Sequence, residues 1–144
     1  MPEFVNSCPG EGEKMVFGGR HVSQKAEAQH AADVALAGKF NELLEDARTA
    51  EAKLRQAQSS AAPLGEQHDL GKALDATLTA AMRAAFAAER AEIGPRGYED
   101  RIYRRKAKAT QVVKKWTTEA EALLTLRESH RLGGIVRLPP APVA

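Results

Sequence analysis

The residues of this chain that are best suited to bind a partner are basic, and they are concentrated in one segment. Eight of the 21 Lys and Arg residues lie between positions 96 and 115, where Glu99 and Asp100 are the only acidic residues. This segment has a net charge of +6, whereas the rest of the 144-residue chain sums to −4. Exposed charges act over about 8–10 Å at ordinary salt, so a partner at this segment experiences its local charge rather than the total.

The basic residues have a helical spacing. On a helical wheel, Arg101, Arg104, Lys108 and Lys115 fall within about 60° of one another. We predict a cationic stripe, roughly 20 Å long, that binds several phosphates or an acidic protein surface. Tyr103 and Tyr98 are expected to stack on bases or to add hydrogen bonds, as in single-strand binders. The predicted partner-binding residues are Arg96, Arg101, Arg104, Arg105, Lys108, Lys115 and Tyr103.

A second interpretation of the same segment requires no nucleic acid. Acidic residues on the other predicted helices are available to neutralise the stripe within the chain. These residues are Glu42, Glu45, Asp46, Asp69, Asp75, Glu89 and Glu92. Neither a helix-turn-helix nor an RNA-recognition or zinc-finger signature favours nucleic acid. The partner therefore stays open between an acidic protein surface and nucleic acid.

The remaining reactive residues do not form a recognisable catalytic or metal-binding motif. Glu27 and His30 have the E-x-x-H spacing of di-iron bundles, but such sites need a second copy and two further glutamates. Cys8 has no basic neighbour in sequence to activate its thiol. His68 and His130 suit the ends of helices. We therefore predict no catalytic residue, no metal and no cofactor, and a chain that is not an enzyme.

Helices must position the basic segment. Alanine occupies 27 positions and only seven residues are aromatic, which favours helices packed closely around a thin core. Apolar residues recur at alternating steps of four and three along the first half of the chain, as in a heptad pattern. They are Leu36, Phe40, Leu43, Ala47, Ala50, Leu54 and Ala57. Gly38 interrupts this pattern at a cost of about 1 kcal/mol relative to alanine.

These patterns predict an all-α fold over residues 22–132. We expect an elongated antiparallel three-helix bundle, or coiled-coil hairpin, with extended N- and C-terminal arms. The three helices are expected at about 23–58, 66–93 and 98–132, with Ser23 as the first N-cap. The third helix is expected to bury Ile102, Ala109, Val113, Trp116, Ala120 and Leu123.

The two ends of the chain are predicted to form extended arms. Residues 1–21 are rich in glycine, and residues 133–144 are rich in proline. Their apolar residues are expected to attach to neighbouring subunits by strand addition. These arm residues are Val16, Phe17, Ile135, Val136 and Leu138. The single cysteine and the absence of a signal-peptide or membrane-spanning pattern favour a cytoplasmic or virion setting.

The sequence therefore favours a function in binding. The leading hypothesis is a non-enzymatic structural or assembly protein, a helical subunit with protein neighbours in a homo-oligomer such as a phage virion component. The alternative is a small regulator that binds nucleic acid or a host factor through residues 96–115.

Overall fold

The protein is helical throughout the part that the structure describes. The computed structural model describes residues 21–133, and no strand occurs among them, so the predicted all-α class is confirmed. The five arm residues named above lie outside this range, as does Cys8. The elements are α1 (Gln24–Ala37), α2 (Phe40–Ser59), α3 (Leu64–Ile93), a 3-10 turn (Pro95–Tyr98), α4 (Arg101–Ala107) and α5 (Gln111–Gly133).

The first predicted helix begins as expected but is divided in two. The Ser23 hydroxyl accepts a hydrogen bond from the Ala26 N–H at 3.1 Å, which confirms the predicted N-cap. The chain then turns at Gly38 and Lys39, and the Lys39 N–H donates to the Leu36 carbonyl at 3.0 Å. This tighter i→i+3 bond replaces an α-helical one where glycine weakens the helix. A continuous helix over 23–58 is therefore wrong, although both halves are helical.

The third predicted helix begins later than expected. α3 ends at Ile93, its C-cap Gly94 has a φ of +100° that favours glycine, and Pro95 opens the 3-10 turn. α4 starts only after Asp100, whose carboxylate accepts a hydrogen bond from the Tyr103 N–H at 2.9 Å. Because an acidic N-cap satisfies one of the unpaired donors of the first turn, Asp100 defines this helix start.

A second break separates α4 from α5. At this point the Thr110 hydroxyl donates to the Ala107 carbonyl at 2.8 Å, so its side chain competes with the helical backbone pattern. The prediction that aligned Lys115 with Arg101 assumed one continuous helix. The break at residues 108–110 therefore removes the basis for that alignment.

α3 is the central helix, and α1, α2 and α5 all pack against it. The two largest fully buried side chains, Leu74 and Leu78, lie on α3. Twelve buried residues from α2, α3 and α5 form the main core, and six of them are alanine, so the expected thin core is confirmed. α5 runs antiparallel to α3, because Thr117 bonds Glu89 near one end and His130 reaches Gly71 near the other.

The predicted apolar faces are buried except around α4. The heptad residues of the first two helices are buried or half-buried, as are Val113, Trp116, Ala120 and Leu123. Ile102, however, is 70% exposed, and Ala109 is also exposed, so their assignment to the core is wrong. α4 contains no buried residue. None of the helices within residues 21–133 is long and apolar enough to cross a membrane.

We predict that Gly71→Ala stabilises the fold. Gly71 lies inside α3, and a Cβ atom there would meet the His130 ring at 3.8 Å, an ordinary contact distance. Alanine reduces the conformational entropy of the unfolded chain and suits a helix interior, so the free energy of unfolding should rise by about 0.5–1 kcal/mol. Urea denaturation followed by circular dichroism measures this change, and a decrease would contradict the described packing.

Candidate functional site

A polar cluster anchors the start of the basic segment to the helical core. Asp33 of α1 accepts two hydrogen bonds from Arg90 of α3, at 2.8 and 3.0 Å. It also accepts a hydrogen bond from the hydroxyl of Tyr98 in the 3-10 turn. His30 lies beside Tyr98, with ring centroids 6.3 Å apart, and its Nε2 donates to the Ala91 carbonyl at 3.1 Å. Three elements are therefore joined through one carboxylate.

The ionisation of this cluster follows from its contacts. Burial opposes the charge of Asp33, but the hydrogen bonds from Arg90 and Tyr98 outweigh burial and hold its pKa below 3.8. Burial and the bond to Asp33 raise the pKa of the Tyr98 phenol. At neutral pH the carboxylate is therefore charged and the phenol keeps its proton, as the observed hydrogen bonds require.

The two acidic residues of the basic segment are committed to local structure. Glu99 accepts hydrogen bonds from the backbone N–H of Ser23, at 3.2 Å, and from the Ser23 hydroxyl. Asp100 caps α4 and also accepts from Arg96 Nε at 3.2 Å. Within residues 21–133, Arg96 is the one cation of the segment that forms an ion pair with either Glu99 or Asp100.

Three of the predicted binding residues also form contacts within the chain. The Arg96 guanidinium lies over the Tyr103 ring, 4.6 Å from its centroid, so one face of that ring is covered. Arg104 donates through Nη1 to the Gly97 carbonyl at 2.5 Å. These contacts hold α4 against the 3-10 turn, and they reduce the availability of Tyr103 for stacking on a base.

The other cations of the segment point into solvent. Their side chains are exposed and form no ion pair with an acidic side chain within residues 21–133. They comprise the predicted Arg101, Arg105, Lys108 and Lys115, together with Lys106 and Lys114, which the helical wheel did not select. Neutralisation by the acidic helices is therefore not observed. Asp75 instead pairs with Arg131 at 2.7 Å and Glu45 with Arg48 at 3.2 Å.

Exposed apolar side chains accompany these cations. Ile102 of α4 is 70% exposed, and Val112 in the first turn of α5 is 54% exposed. We define the basic face as the exposed surface between Arg101 and Lys115, comprising these two residues and the six unpaired cations. A surface of this mixed composition resembles a protein interface, where an apolar centre is surrounded by polar groups.

Comparison with other proteins adds no family assignment. The chain matches no protein-family model, no curated protein and no solved structure.

The histidines of the predicted special motifs have structural contacts. His30 of the E-x-x-H motif bonds a backbone carbonyl, while Glu27 points into solvent. His130 is buried and donates from Nε2 to the Gly71 carbonyl at 2.8 Å. No group of three or more His, Cys, Asp or Glu residues within the described range is arranged to hold a metal ion.

Sequence reasoning did not find the Asp33 cluster. Its members come from three separate elements, and only the packing of α1 on α3 brings Asp33 to Arg90 and Tyr98. The one available signal was local: Tyr98 follows a Gly-Pro-Arg-Gly turn that must return the chain to the helical core.

Proposed function

We propose that this chain is a non-enzymatic assembly protein that docks onto acidic protein neighbours through its basic face and through its arms. In this proposal its helices form an elongated antiparallel three-helix bundle, a shape suited to a subunit of a homo-oligomer or a phage virion. It acts in the cytoplasm or the virion by binding rather than by catalysis.

The observation that supports this proposal is the isolation of the basic face from the chain's own acids. Six cations are exposed without an ion pair inside the described part of the chain, although exposed Glu42 and Asp46 lie on α2. An ion pair with a partner would lower the repulsion among these cations, and complementary charge also speeds association. The chain therefore presents a surface that gains from an acidic partner.

The exposed Ile102 favours a protein over nucleic acid as that partner. Phosphate contacts need cations, whereas a 70% exposed isoleucine among them gains only when apolar surface covers it. One such side chain contributes roughly 1.5–3 kcal/mol when it is fully buried. The contact of Arg96 with the Tyr103 ring also favours a protein partner, because a single-strand binder needs an accessible aromatic face.

We expect the double substitution Arg101→Glu and Arg105→Glu to weaken docking. Sedimentation velocity of the full chain at low salt should show an oligomer that dissociates at least about tenfold more readily in this variant. Both side chains are exposed and unpaired, so the fold should persist. The matched control is Lys53→Glu with Lys72→Glu, which makes the same charge change on exposed parts of α2 and α3 and should leave assembly unchanged. A wild-type chain that stays monomeric, or a control equal to the test variant, would contradict the proposal.

The alternative is a regulator that binds nucleic acid through the same cations. Its support is their number, since contact with several phosphates releases counterions. Titration of single-stranded DNA and RNA across a salt series separates the two functions. An affinity that falls steeply with salt, and that is lost in the double variant, supports the alternative, whereas no binding at low salt removes it.

A further inference from the structure

A cleft of about 280 Å³ lies behind α4, on the side that faces the core. Helices α1 and α3, the 3-10 turn and α4 all contribute to its walls, through Gln29, Glu89, Arg90, Gly97 and Arg104, among others. At about 30 Å³ for each water in the liquid, the cleft has room for about nine water-sized volumes. This is enough for a small metabolite, at the lower end of ordinary ligand sites.

Glu89 is the unusual group in this cleft. It is only 6% exposed, and its one hydrogen-bond partner among the described residues is the neutral hydroxyl of Thr117. No ion pair within residues 21–133 includes it. Its second oxygen is not among the fully buried unpaired side-chain atoms of the described residues, so a group in the cleft can reach it. The second oxygen of Glu89 therefore offers an acceptor that a ligand can satisfy.

Two cations line the same cleft without reaching Glu89. Arg104 donates through Nη1 to the Gly97 carbonyl, and its other side-chain N–H groups have no acceptor among the described residues. Lys108, just after α4, is exposed and unpaired within the described part of the chain. Arg90 is also present, but Asp33 already neutralises it. The cleft thus holds one available negative group and two available positive groups that do not neutralise one another directly.

We propose that this cleft binds a small zwitterionic molecule, with its cationic group at Glu89 and its anionic carboxylate or phosphate at Arg104 and Lys108. Both charges of such a ligand replace water with a fixed partner of opposite sign. A simple anion leaves Glu89 uncompensated, and a simple cation leaves the two basic groups unused. The site shares Lys108 with the basic face, but Glu89 and Arg104 lie outside that face, so a loss of ligand binding in Glu89→Gln is distinguishable from a loss of assembly.

The test titrates the purified full chain with glycine, 4-aminobutyrate, lysine and phosphoethanolamine, using calorimetry and the backbone amide signal of Gly97. Acetate, methylammonium and inorganic phosphate serve as single-charge fragments. At least one zwitterion should bind saturably with a Kd of about 1 mM or tighter, and the fragments at least about tenfold more weakly. The Gly97 amide should shift on binding, because this residue lines the cleft.

Two variants identify the charges involved. Glu89→Gln keeps the shape and an acceptor for Thr117, and Lys108→Gln changes an exposed side chain, so neither substitution should prevent folding. Each should weaken the zwitterion by about tenfold or more, whereas Lys114→Gln, on the basic face but outside the cleft, should have no effect. Failure of the whole panel to bind at about 10 mM would overturn the proposal. Equal binding of inorganic phosphate, or unchanged affinity in Glu89→Gln, would do the same.

Discussion

Gly97→Ala should lower the free energy of unfolding by about 3 kcal/mol, the largest effect that we expect from a single methyl group in this protein. A Cβ atom at Gly97 would overlap the Ile93 Cγ2 methyl and would lie 3.5 Å from Ile93 Cβ. Ile93 is buried and β-branched, so it cannot rotate away without a cost in conformational energy. The 3-10 turn would have to move, and the Arg104 contact with the Gly97 carbonyl would move with it.

Urea denaturation of Gly97→Ala beside Gly71→Ala separates steric overlap from the general effect of adding a methyl group. The two substitutions are chemically identical, but only the first meets an occupied volume. We expect opposite signs. A Gly97→Ala protein as stable as the wild type would show that the 3-10 turn packs differently on Ile93.

Asp33→Asn should destabilise the fold by about 2 kcal/mol at neutral pH. The substitution keeps the shape of the side chain but removes the charge that accepts two hydrogen bonds from Arg90 and one from Tyr98. Arg90 is 46% exposed, so it can turn to water, and this limits the loss. The Tyr98 hydroxyl is less accessible and loses a charged acceptor. Tyr98→Phe, which leaves the Asp33–Arg90 pair intact, should cost about 1 kcal/mol.

The destabilisation by Asp33→Asn should depend on pH with a defined sign. The pKa of Asp33 is lowered in the folded state, so its contribution is fully present above the unfolded pKa of about 4 and is lost as the pH falls through the folded value. The stability difference between wild type and variant should therefore shrink in acid. Asp46→Asn, at an exposed position of α2, is the control and should be neutral at every pH. A difference that is constant down to about pH 2 would exclude the ionised Asp33 as the cause.

The sequence predicted the fold wherever a local signal and the packing agreed. The heptad pattern located the buried face of α2, and Ser23 marked a true helix start, because both depend on neighbours within one turn. The breaks at Gly38 and Thr110 were missed. Each lies in a segment whose average composition is helical, so one glycine or one threonine hydroxyl decided the local geometry.

The sequence predicted the charge of the candidate site but not the positions of its side chains. The clustering of cations in residues 96–115 is visible in the sequence, whereas their division into committed and exposed groups depends on the chain turn before α4. Ile102 shows the reason for the error. Its helical spacing from Val113 and Trp116 predicts burial only if α4 and α5 are one helix, and the break turns that residue outward.

No residue of α4 is buried, so the packing of the core constrains the sequence of α4 less than it constrains the sequence of α3. Substitutions in the alanine-rich surface of α3 alter how the helices fit together, so the fold itself limits them. The exposed positions of α4 have no such limit, apart from the few contacts that attach the helix to the turn before it. The proposed docking surface is therefore able to change by surface substitution while the scaffold stays the same, and related chains should differ most at the exposed positions of α4.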